Sequence, residues 1–194
     1  MAPIINYKLI LASNSPRRRE LLAGLGLAFE VRVLPGIDES YPKELQEGEI
    51  PLYISREKAN AYIGQLRDDE LLITADTIVW LDGQVLEKPK DEDDACRMLR
   101  ALSGKTHQVF TGVCLTTTTK QTAFSCRSDV TFSQLTDDEI HYYVQHYHPL
   151  DKAGAYGVQE WIGYVGVERL EGSFFNVVGL PVQRLYQALK AFEE

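Results

Sequence analysis

The chain has 194 residues, enough for one ordinary domain or two small lobes, and a chain of this length buries on the order of 70% of its unfolded surface without needing covalent staples. Its 44% hydrophobic, 10% aromatic and 25% charged residues exclude disorder, collagen and low complexity. With 20 Lys and Arg against 28 Asp and Glu, the formal charge of -8 argues against nucleic acid or an anionic membrane surface as the main partner, so a bound anion needs a local cluster of positive charge.

In chain order, residues 4–12 (IINYKLILA) form an apolar run ending in Ser13-Asn14-Ser15-Pro16, where Ser15 suits a helix N-cap and Pro16 the first helical position. The helix is expected to run to Gly24 or Gly26. Residues 27–34 alternate as a half-buried strand that Pro35-Gly36 ends. A helix carrying Arg56 and Lys58 starts near Pro51, with Leu52, Ala59, Tyr62, Ile63 and Leu66 on one face. Residues 71–81 read as a buried strand, and Asp82-Gly83 turns it into a hairpin. After the basic loop Lys88-Pro89-Lys90, the acid-rich segment 91–94 opens a helix with Ala95, Met98, Leu99 and Leu102 inward, closed by Ser103-Gly104. Residues 109–118 and 122–132 predict a second hairpin. Thr136 and Glu139 form a capping box, and Ile140, Tyr143, Val144 and Tyr147 share one side of the following helix. Residues 151–159 (DKAGAYGVQ) are a glycine-rich loop, 161–167 read as a strand, and Gly179-Leu180-Pro181 opens a last helix. Helices alternate with strands at both ends and hairpins fill the middle. The fold class is therefore α/β, a mixed twisted sheet with flanking helices, expected as a single domain over 1–194 with two lobes around a cleft.

Three cysteines (Cys96, Cys114, Cys126) without metal spacing are read as reduced thiols, although Cys114 and Cys126 face each other if their hairpin forms. The four histidines lack a metal-ligand spacing. The chain shows neither the pattern of a secretory signal nor an apolar run of the roughly 18 residues a membrane span needs, so a soluble cytoplasmic protein is expected.

Two features are misplaced for structure alone. A helix N-terminus is electropositive, so basic residues there cost about 0.3–1 kcal/mol each, yet the turn after Pro16 is Arg17-Arg18-Arg19. With the preceding strand and polar loop, that makes a phosphate site, Arg17 and Arg18 lying nearest the loop; the alternative is that the arginines fan out to solvent or pair with surface acids. Asp76 interrupts the most apolar run, where an unpartnered carboxylate costs several kcal/mol. It either faces a cleft as a metal ligand or base, or caps backbone at a strand end. Lys58, Lys88 and Asp38-Glu39-Ser40 are uninformative singly, whereas Gln159 offers a donor and an acceptor to a base edge.

Taken together, Leu11-Ala12-Ser13-Asn14-Ser15-Pro16-Arg17-Arg18-Arg19-Glu20-Leu21-Leu22, Asp38-Glu39, Lys58-Ala59, Ala75-Asp76-Thr77, Lys88-Pro89, Leu102-Ser103-Gly104-Lys105-Thr106-His107, Asp151-Lys152-Ala153-Gly154-Ala155-Tyr156-Gly157 and Gly179-Leu180-Pro181 resemble the Maf family of nucleoside triphosphate pyrophosphatases. The resemblance runs in order through nearly the whole chain. It implies a fold similar to the inosine triphosphate pyrophosphatases and a cytoplasmic homodimer that cuts a nucleotide between its α and β phosphates, with a divalent cation (Mg, Mn or Co) as cofactor. It implies Asp76 as proton acceptor, Glu39 and Asp76 as metal ligands, and Ser13, Arg17, Arg18, Lys58, Thr77, Lys88 and Gln159 as substrate-binding residues. Gln159 resembles the subgroup acting on dTTP and UTP. Glu160-Trp161 follows it where glycine is common in the family. The rival readings are a pyrophosphatase for another modified nucleotide, such as 7-methyl-GTP, and a nucleotide-binding regulator of septum formation.

Overall fold

The computed structural model describes residues 5–193; Ile4, which begins the first apolar run, lies outside the described residues. The strands are β1 (Lys8–Leu11), β2 (Phe29–Val31), β3 (Glu70–Leu81), β4 (Gln84–Leu86), β5 (Thr106–Thr116), β6 (Gln121–Phe132) and β7 (Val167–Glu171). The helices are α1 (Pro16–Ala23), α2 (Glu49–Asn60), α3 (Glu92–Leu102), α4 (Asp137–Tyr147), α5 (Trp161–Gly166), α6 (Phe174–Val178) and α7 (Val182–Glu193). The sheet runs β2-β1-β3-β5-β6-β7, with β4 beside β3. β1 pairs in parallel with both β2 and β3, whereas β4 on β3 and β7 on β6 are antiparallel, so the sheet is mixed as expected.

The chain divides into two compact units, residues 1–76, 111–126 and 179–194 in the first and 77–110 and 127–178 in the second. In the first, strand alternation sorts the core onto two faces. Leu9, Leu11, Leu71, Ile73 and Ala75 pack with Leu22 of α1 and Leu185 and Leu189 of α7. Ile10 and Leu72 point the other way, against Ala59 of α2 and Tyr62. The second unit has its own core, in which Ala95, Met98, Leu99 and Leu102 of α3 meet Ile140, Tyr143 and Val144 of α4.

Local signals explain several element ends. Ser15 caps α1 by accepting from the Arg18 amide, and Pro16 stands in its first turn. Asp91 caps α3, and Thr136 with Glu139 forms the capping box of α4. Asp82 and Gly83, at φ 50 and 83, make the β3–β4 turn.

Three expectations are corrected. The strand expected over 27–34 is only Phe29–Val31, because an edge strand pairs no further than its short neighbour β1. The strand expected over 161–167 is a helix followed by β7. Its β-rich composition is overridden by packing, with Ile162 fully buried and Gly163 so close to the Val158 carbonyl that a Cβ there would lie 1.8 Å from its oxygen. The second helix starts at Glu49 and ends at Asn60, so Tyr62 and Leu66 pack from beyond it and Ile63 is exposed. The glycine-rich loop over residues 151–159 is built of compact turns, with Gly154, Ala155, Tyr156, Gly157 and Val158 buried. All three cysteines are free.

Candidate functional site

The first turn of α1 is held to the sheet by its own arginines. Arg18 Nε donates to the Gly179 carbonyl at 2.8 Å and Nη1 to the Ala75 carbonyl at 2.9 Å, which fixes a guanidinium beside the residue preceding Asp76. Burial pushes the Arg18 guanidinium down from its ordinary value, and the charges of Asp76 and Glu39 pull it back up. Arg17 is half-buried in the same turn. Arg19 spans the preceding loop through the Ser13 carbonyl at 3.3 Å and the Asn14 side chain at 3.5 Å. Ser13 is buried, and its Oγ accepts from the Ser15 amide at 3.2 Å. Part of the local positive charge therefore holds backbone carbonyls.

Asp76 falls in step with Leu72 and Thr74 on the side of β3 that faces α2. Thr74 Oγ1 donates to the Ser55 carbonyl at 2.6 Å, locking strand to helix, and Lys58 is the next residue of α2 on that face. Close approach is made possible by Gly112 of β5, where a Cβ would lie 2.3 Å from the Pro51 carbonyl carbon. Lys58 Nζ stands 2.9 Å from Asp76 Oδ1 and 3.0 Å from Glu39 Oε1. The Asp76 and Lys58 side chains are only 13% and 12% exposed, so the pair is sheltered, while Glu39 at 59% reaches in from solvent. Asp38 is excluded from the cluster, since its carboxylate accepts from the amide and hydroxyl of Ser40, which also hold it below the ordinary carboxylate range.

Among the described residues, no three His, Cys, Asp or Glu side chains gather as a self-sufficient metal site. The two carboxylates that converge on Lys58 nevertheless fit a hard divalent cation, because magnesium is commonly held by one or two carboxylates with the substrate's phosphates completing the shell.

The second unit carries Thr77, Lys88 and Gln159. Thr77 is half-buried on β3; Lys88 and Lys90 are exposed around buried Pro89. Gln159 is exposed at the end of a packed segment. Beneath it lies a polar network that sequence patterning missed. Buried Lys152 contacts Asp151 Oδ1 at 2.8 Å and Glu160 Oε1 at 3.1 Å. Tyr143, read in the sequence only as core, donates its hydroxyl to Glu160 Oε2 and accepts from the Gly157 amide at 2.9 Å. Burial and then the Glu160 bond raise the Tyr143 phenol above its ordinary range. The one available signal was Glu160 itself, a carboxylate where the resembled family commonly has glycine.

The Maf-like protein family model matches residues 8–192. A dTTP/UTP pyrophosphatase from Phocaeicola vulgatus is 64% identical over 184 residues, 95% of each chain. Another dTTP/UTP pyrophosphatase, from Bacteroides thetaiotaomicron, is also 64% identical over 184 residues and 95% of each chain. A solved HAM1 protein from Coxiella burnetii aligns with 95% of this chain and 99% of its own at 12% identity, with a TM-score of 0.49, too low to support an inference.

Proposed function

The chain belongs to the Maf family, and on that premise we propose that Asp76 takes the proton of the water that attacks the α phosphorus of dTTP or UTP. The enzyme is a nucleoside triphosphate pyrophosphatase, releasing the monophosphate and pyrophosphate and so cleaning nucleotide pools. The observation that carries the residue assignment is the Lys58 ammonium shared by Asp76 and Glu39 beside the Arg18 guanidinium.

Hydrolysis of the anhydride gathers negative charge on the departing pyrophosphate, and fixed donors stabilise it without reorganising. Arg17 and Arg18 at the start of α1, with Lys58, supply such charge; Arg18 is rigid because two carbonyls already hold its fork. Ser13 orients the loop for the phosphates. Asp76 sits on a strand interior, so its carboxylate is held in one aim by Lys58 and can accept a proton at Oδ. Asp76 and Glu39 would hold a divalent cation (Mg, Mn or Co), which would supply Lewis-acid neutralisation of the phosphate oxygens. From the second unit, Lys88 is assigned to phosphate, and Thr77 and Gln159 to substrate choice. The uracil or thymine edge presents an N–H and a carbonyl, which the Gln159 amide complements. The same reading treats 1–194 as one functional domain and the protein as a cytoplasmic homodimer without nucleic-acid or membrane partners, supported by the charge of -8; no helix among the described residues is long and apolar enough to cross a membrane.

Pyrophosphate release measured with Mg, Mn or Co against dTTP, UTP, CTP and 7-methyl-GTP tests the reading. It predicts turnover highest on dTTP and UTP; binding without turnover, or a preference for 7-methyl-GTP, contradicts it.

A further inference from the structure

A glutamine amide reads opposite base edges by exchanging its oxygen and nitrogen through a half-turn, so a free Gln159 pairs with cytosine as readily as with uracil. Selectivity between those pyrimidines requires the residue to be held. The chain segment that carries Gln159 is anchored on both sides. Upstream, the Gly157 amide donates to the Tyr143 hydroxyl at 2.9 Å; downstream, Glu160 accepts that same hydroxyl's proton and meets Lys152 Nζ at 3.1 Å. The Glu160 amide also donates to the Gly157 carbonyl at 2.9 Å, closing a turn over Val158 and Gln159. Gly157 is needed for this approach, since a Cβ there would lie 2.9 Å from Glu160 Cδ and 3.1 Å from Lys152 Cε. Tyr143 is fully buried on α4, Lys152 nearly so and the Glu160 side chain 20% exposed, so the turn is tied to the unit's core through largely sheltered polar groups.

We propose that Glu160 and Tyr143 are positioning residues that clamp the turn carrying Gln159 and thereby set the enzyme's preference for uracil and thymine over cytosine. The proposal rests on the reading of Gln159 as the base-contacting residue. Neither side chain touches substrate; both act by fixing the backbone from which the Gln159 side chain extends.

The test measures kcat and KM for dTTP and CTP in Glu160→Gln, Tyr143→Phe, Gln159→Ala and the Gln159→Ala/Glu160→Gln double variant, with melting temperatures alongside. Tyr143→Phe removes one hydroxyl and leaves the ring packed, which keeps the test open if Glu160→Gln loosens the fold. Expected in both clamp variants is a fall of about tenfold in the dTTP over CTP ratio of kcat/KM, mainly through a higher KM for dTTP, with kcat changed by less than about twofold. In the Gln159→Ala background, Glu160→Gln should change the ratio no further. Equal losses on both nucleotides, or an effect of Glu160→Gln that persists without Gln159, overturns the clamp. If Gln159→Ala collapses the preference while the clamp variants keep it, the clamp alone fails; if Gln159→Ala leaves the preference intact, the base-contact reading fails and takes the clamp with it.

Discussion

Asp76 keeps a carboxylate within an apolar strand because a lysine one helix layer away stands 2.9 Å from it, which resolves the cost that unpartnered burial would impose. Asp76→Asn keeps the shape, weakens the ion pair and removes the proposed proton acceptor. It should lower kcat by roughly 10² or more while the melting temperature shifts little, as read from pyrophosphate release and thermal melting. Arg18 ties α1 to two backbone carbonyls and is also proposed to bind the phosphates. Arg18→Lys cannot reach the Gly179 and Ala75 carbonyls together. Losing one bond to a charged donor is worth about 1.5–3 kcal/mol, so a lower unfolding midpoint in urea should accompany the lost activity; an unchanged midpoint would mean that these bonds do not hold α1. At this scale the sequence disclosed the misfits, three arginines at a helix start and an aspartate in an apolar run, because each violates a rule about charge. It could not disclose the partners, since Lys58 and Asp76 meet only once strand and helix are packed, and Tyr143 reads as a hydrophobe until its hydroxyl is located.

Elements whose ends are chemically encoded were legible. Ser15-Pro16, Asp91 and Thr136 with Glu139 start α1, α3 and α4 where capping rules place them. Thr136→Ala should cost about 1 kcal/mol through loss of the cap of α4, measured by chemical denaturation. α5 was misread and α6 not anticipated, because short helices carry too few residues to show a period and are settled by the core they cover. β5 and α2 touch at Gly112, where alanine would meet Pro51 backbone that cannot yield. Gly112→Ala is expected to cost about 3 kcal/mol, the upper end of overpacking, and to weaken activity through displacement of Lys58. A melting temperature within a degree of the parent would contradict that contact.

For the whole molecule, two buried groups give acid unfolding two windows. Burial holds the His107 imidazole down at about 4, against the opposing charge of Asp129. A folded value below the unfolded value of about 6.5 means that the unfolded chain takes the proton first, so stability is lost as pH falls from about 6.5 to about 4. Glu70 is held down at about 2, chiefly by its bond to Arg32, so its contribution is present above the ordinary 4.5 and is lost below it. His107→Gln keeps an amide facing Tyr156 and should flatten the upper window in urea midpoints taken at several pH values; an unchanged slope would acquit His107. Within the negative surplus, Asp76 and Glu39 gather at Lys58, in a unit whose arginines concentrate positive charge at one helix start. The proposed role of this cluster is to cut the α–β anhydride of dTTP and UTP. Steady-state pyrophosphate release from dTTP with a divalent cation, compared between the parent enzyme and Asp76→Asn, tests it most directly. Rapid release by the parent and a loss of at least about a hundredfold in the variant is the predicted result; equal release by both would contradict it.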